Sequence, residues 1–239
     1  MVQRCIYFRY FAGLALGLCL VAWAGCVQGP SEAKSPLVAS AFGQALDQVD
    51  TATIDACMVC HSTREMQRGP VLDGLPEWYL ADQLRKFKSG QRGKNALNRA
   101  EALMGVAMAK VETEAQLAAL ARYFAGRKPK PSIRVIRGDA VVGKTLYEIR
   151  CVSCHGVRGE GKPEIQSPPV NVQEDWFLLD QLRKYANGQR SVHPSDAGGV
   201  MMKAAAANLS LNDLRNMVAY IAKDLTVTPL LQKVGPPKK

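Results

Sequence analysis

The apolar residues of this chain recur at helical rather than strand intervals, and they do so twice in the same order. Trp78, Leu80, Leu84 and Phe87 share one side of a helical repeat with charged positions between them, and Trp176, Leu178, Leu182 and Tyr185 reproduce the spacing. Gly90 and Gly188 follow the two segments as helix stops. A second stripe, Leu117, Leu120, Tyr123 and Phe124, is matched by Leu214, Met217, Val218 and Ile221. Strand-like alternation is absent. The pattern predicts an all-α protein.

The repetition reaches residue identity. EWYLADQLRKFKSGQR at 77–92 returns as DWFLLDQLRKYANGQR at 175–190, CMVCH at 57–61 as CVSCH at 151–155, and ALARYF at 119–124 as MVAYI at 217–221. The offset is 94 at the cysteine motifs, 98 through the DQLRK segment and 97 at the last aromatic, so small loop changes separate otherwise fixed elements. These are two tandem copies of one domain, not a solenoid with its shorter period. The first copy spans 46–128 and the second 138–226. Between them lies a linker at 129–137, stiffened by Pro129 and Pro131, and a basic proline-containing tail occupies 227–239. A core of this size is marginal alone and gains from a buried apolar group.

The first 25 residues read as a secretory signal, with Arg4 and Arg9 preceding an uncharged run from Tyr10 to Ala24 that ends in small residues. That run is shorter than the roughly 20 residues a membrane-spanning helix needs. Residues 26–45 then form a tether. Of seven cysteines, Cys5 and Cys19 leave with the signal and four belong to the CxxCH motifs. The remaining Cys26 follows Ala24-Gly25, as in a bacterial lipobox, where the cysteine is acylated. Trp23 departs from that pattern, and cleavage after Ala24 would instead leave a free thiol. A lone thiol is a liability in an oxidising compartment, which favours the lipid anchor.

CxxCH carries a mechanism. Cysteines at i and i+3 on a helical turn reach one edge of a flat macrocycle, and the histidine at i+4 reaches its iron. The motif is the attachment signature of c-type haem. Two copies behind an export signal predict two covalently bound haems, one at Cys57, Cys60 and His61 and one at Cys151, Cys154 and His155. A disulfide does not account for the histidine. A shared zinc site would have to unite two pairs from separate repeats. A redox-active dithiol belongs beside a parallel sheet.

The chain has three histidines, so at most one haem could take a second one. Methionine is the natural alternative and raises the reduction potential. Register selects Met104 and Met202, which correspond at offset 98; Met108 falls opposite Ala206 and Met201 opposite Leu103. Met108 and Met201 therefore read as packing residues. His193 corresponds to Asn95 and reads as an exposed loop histidine. Pro70 and Pro168 are in register as well.

The formal charge is +10, or +8 once Arg4 and Arg9 depart with the signal. Haem propionates would lower it further. Such a charge steers the protein towards an acidic partner or an anionic surface. Its basic residues are spread along the chain and form no nucleic-acid motif.

With CxxCH, the following proline, the YLxxQLxxF segment with Gly-x-Arg, the methionine and a terminal aromatic helix, residues 45–225 resemble two-domain class I c-type cytochromes of the cytochrome c-four type. The resemblance implies two all-α domains about a pseudo-twofold axis with haems facing each other. It implies that the carbonyls of Pro70 and Pro168 accept the Nδ1–H of the proximal histidines. It implies a periplasmic carrier passing single electrons between redox proteins, towards a terminal oxidase, with no bond chemistry at the protein. The second copy fits well, with Gly143, Leu146 and Tyr147 before its motif and HGVRGEG after it. The first has Val49, Ala52 and Thr53 in register, and Ser-Thr-Arg-Glu-Met after His61, which predicts a different haem environment and potential. Two rivals remain: a fixed subunit of an oxidase or dehydrogenase complex, and a dihaem peroxidase, which needs an open sixth position.

Overall fold

The computed structural model describes residues 49–61, 68–129 and 134–226. The signal, Cys26, the tether, Pro131 of the linker and the basic tail lie outside them. In the first repeat α1 is Thr51–His61, α2 Glu77–Ser89, α3 Arg99–Met108 and α4 Glu114–Ala125. In the second, α5 is Ala140–Arg150, α6 Val152–His155, α7 Asp175–Ala186, α8 Ala197–Ala206 and α9 Leu211–Tyr220, the last continuing as a π-helical turn over Ile221–Leu225. An isolated bridge between Lys162 and Ser167 is the nearest approach to a sheet among the described residues. The all-α expectation holds.

Caps fix the helix ends in register. Asn98 accepts a hydrogen bond from the Glu101 amide, and Asp196 does the same for Gly199 at the corresponding place in α8. Capping boxes, Thr113 with Gln116 and Ser210 with Asp213, open α4 and α9. Gly90 ends α2 at φ 79°, a left-handed conformation in which glycine carries no side-chain penalty.

Each repeat has its own core. Leu80, Met108, Val111, Leu117, Leu120 and Phe124 fill the first, and Tyr147, Leu178, Leu214, Met217, Val218 and Ile221 the second. Each fully buried side chain of this size stabilises by about 1.5–3 kcal/mol. In the second repeat α5 crosses α9, and the Tyr147 hydroxyl donates to the Gly156 carbonyl at 2.7 Å. In the first, α4 packs chiefly on α2, and α1 contributes Ile54 to the core. The reason is local: without a glycine or a large aromatic at 49–53, α1 lacks the notch and the anchor that α5 uses.

The repeats meet along a polar seam. Arg92 donates to Gln83 and to Glu101, the latter at 2.5 Å. Its register partner Arg190 donates to Gln181 at 2.5 Å and, across the seam, to Gln83 at 3.2 Å. Lys86 bridges Asp82 of its own helix and Asp196 of the other repeat, each at 3.0 Å.

Candidate functional site

The two cysteine motifs lie on helical turns. α1 ends at His61, and in the second repeat the His155 amide donates to the Cys151 carbonyl at 2.8 Å, one full turn back. Cys57, Cys60, Cys151 and Cys154 are free thiols. Burial pushes Cys57 up, and pushes Cys151 up to about 11 against the opposing pull of Arg150. An uncharged thioether suits such apolar slots.

Each histidine is fixed from behind. His61 Nδ1 lies 2.6 Å from the Pro70 carbonyl oxygen, and His155 Nδ1 lies 2.8 Å from that of Pro168. A carbonyl only accepts, so Nδ1 carries the proton and Nε2 is left with its lone pair for a metal. Burial pushes both imidazoles below the ordinary value, which keeps them neutral and ligating. Gly69 is required beside His61, because a Cβ there would stand 2.6 Å from His61 Cε1. Its register partner Ser167 places Oγ 3.2 Å from His155 Nδ1.

In the second repeat the methionine selected by register lies beside the histidine. Met202 Sδ lies 3.5 Å from His155 Nε2. Met104 is partly buried and packs against the core cluster of the first repeat, as Cys57 and Met58 do at their own positions. Met108 is a core residue. Met201, read as packing, is instead 63% exposed, because one step along α8 turns it about 100° from Met202. His193 is exposed and engages Ser195 within its own loop, with Nδ1 2.7 Å from Ser195 Oγ.

The surroundings fit haem. Arg92 Nε, Arg190 Nε and Ser191 Oγ are buried without a hydrogen-bond partner, a cost that carboxylates would relieve. The propionates of a haem supply such carboxylates. Zinc does not fit: among the described residues no group of three or more His, Cys, Asp or Glu could hold a metal ion.

Two acids at the seam escaped sequence reasoning. Glu101 and Glu174 are buried, yet their register partners are Gly199 and Pro76. Broken register within an otherwise faithful repeat was the available signal.

The family model described as cytochrome c matches residues 49–127 and 140–223. The thiosulfate dehydrogenase electron acceptor of Thiomonas intermedia (strain K12) is 32% identical over 154 residues, 58% of this chain and 66% of that protein, just under two thirds of its length. Cytochrome c4 of Azotobacter vinelandii is 28% identical over 178 residues, covering 69% of this chain and 82% of that one. The solved structure of Acidithiobacillus ferrooxidans cytochrome c4 aligns with a TM-score of 0.56 at 26% identity, over 70% of this chain and 97% of the other.

Proposed function

This chain belongs to the cytochrome c family and is a cytochrome c4-like electron carrier with two covalent haem c groups, and on that premise we propose that it is exported and relays single electrons from a respiratory donor towards a terminal oxidase. Cys57 with Cys60, and Cys151 with Cys154, would form the thioethers. His61 with Met104, and His155 with Met202, would hold the two irons. Each bound haem supplies one Fe(III)/Fe(II) couple. The approach of Met202 Sδ to His155 Nε2 carries the reading, since a methionine that bound the iron opposite the histidine would leave no place there for a substrate. The Pro70 and Pro168 carbonyls hold the imidazoles in orientation and raise their basicity. Arg92 and Arg190 would neutralise propionates from within the seam. Among the described residues no helix is long and apolar enough to cross a membrane; acylation of Cys26 would tether the carrier to the periplasmic side of one.

A potentiometric titration with haem stain and pyridine spectrum tests this. Two haems per chain and two reversible one-electron couples are expected, with the ferric absorption of methionine-ligated haem from both. A stable high-spin fraction would support a peroxidase instead. The likeness to a thiosulfate dehydrogenase electron acceptor favours a second reading, in which this chain is the dedicated acceptor of a dehydrogenase. Stoichiometric co-purification with such an enzyme would select it.

A further inference from the structure

Glu174 opens α7 but does not cap it with its side chain. Its Oε2 instead accepts the Val71 amide proton of the first repeat at 2.9 Å. The peptide unit between Pro70 and Val71 carries both that N–H and the carbonyl to which His61 Nδ1 donates at 2.6 Å. A carboxylate of the second domain, one peptide group and the proximal histidine of the first therefore form a continuous line of hydrogen bonds. Glu174 is only 6% exposed, so its charge is little screened by water. It also acts electrostatically on His61, favouring positive charge there.

The second haem cannot have such a line. The register partner of Val71 is Pro169, which has no amide proton, and that of Glu174 is Pro76. His155 Nδ1 has the neutral Ser167 hydroxyl oxygen beside it instead, at 3.2 Å.

We infer that Glu174 is a positioning residue that lowers the reduction potential of the first haem, acting across the domain seam through the Pro70–Val71 peptide on His61. The inference rests on His61 being an axial ligand, as proposed above. The physics is that of second-shell tuning. Negative charge on the amide hydrogen polarises the peptide, the carbonyl becomes a stronger acceptor, and the imidazole gains anionic character that stabilises Fe(III) over Fe(II). Docking of the second domain thus sets the potential of the first.

The test is Glu174→Gln in the exported two-haem protein. The amide oxygen still accepts from Val71, while the charge is gone. Haem resonances followed through a redox titration by NMR, assigned through the thioether-bearing cysteines, report each couple separately. The expected result shifts the equilibrium between the two singly reduced forms about tenfold towards reduction at the first haem, with the second couple nearly unmoved. In the reduced protein the His61 Nδ1 proton should move upfield while that of His155 stays. Equal shifts of both couples, or none, overturn the inference. Two haems by pyridine spectrum, with the ferric absorption of methionine-ligated haem from both, secure the carrier reading independently of that result. Val71→Pro removes the linking N–H with the charge retained, and asks the same question should Glu174→Gln fail to mature; an unmoved first couple there is equally fatal.

Discussion

Gly143 lies directly against the main chain of Asn216, so that a Cβ at 143 would fall inside the van der Waals envelope of the Asn216 carbonyl. The obstacle is backbone and cannot swing aside. Beside it the Asn216 Oδ1 accepts the Asp139 amide proton at 2.8 Å, pinning the start of α5 to α9. Gly143→Ala should destabilise the second domain by about 3 kcal/mol, the upper end of overpacking costs. Denaturant unfolding followed at the second haem measures it. The first haem should unfold at its usual midpoint.

Met202 distinguishes a carrier from a peroxidase. Met202→Ala should free the sixth position of the second haem, abolish its share of the methionine-to-iron absorption and create a high-spin fraction of about one haem in two. Met202→His should keep that haem low-spin and lower its potential, since methionine ligation raises it. Optical and electron paramagnetic resonance spectra of each variant decide. Met201→Ala, altering an exposed side chain, should do neither.

Helical period, the internal repeat and CxxCH spacing make the fold class and the covalent centres legible in the sequence, because each follows from local geometry. Register between copies separated Met202 from Met201, as one residue on a helix changes face. Register failed where the repeat breaks symmetry. Glu101 faces Gly199 in the alignment, so nothing local says that its carboxylate sits 2.5 Å from Arg92 and 3.7 Å from Arg190. Glu174 reads as an ordinary acidic residue before a helix, and its contact lies 103 residues away. Contacts across the seam depend on how two domains dock, which no single-helix pattern encodes.

Lys86 makes the seam sensitive to alkali. Burial opposes its charge, but Asp82 and Asp196 overcome that opposition and raise its pKa above the ordinary 10.5. A group raised on folding stabilises fully below its unfolded value and loses that contribution as pH climbs through the folded one. Lys86→Met should therefore lower the thermal midpoint by a constant amount from neutrality to about pH 10, and the gap to wild type should close above about pH 10.5. Calorimetry across pH 7–12 checks this. The register partner Lys184 pairs with Asp180 within its own helix, and the register partner of Asp196 is the neutral Asn98, so Lys184→Met should leave a smaller gap.

Glu101 is the carboxylate that two buried guanidiniums share, with side-chain exposures of 6–7% for all three residues. Arginine does not shed its proton at accessible pH, so removing the carboxylate leaves two like charges confronting each other out of reach of water. Breaking one side of a buried pair costs about 3–5 kcal/mol. Glu101→Gln should approach that cost, although Gln83 and Gln181 continue to accept from the arginines. Propionates held by Arg92 and Arg190 would share the neutralisation. The variant should consequently be far more damaging in the haem-free polypeptide than in the mature protein. Limited proteolysis of the two forms, read at the linker, measures that difference. Arg190→Gln introduced into Glu101→Gln should restore much of the loss, because it removes the repulsion that the first substitution exposes.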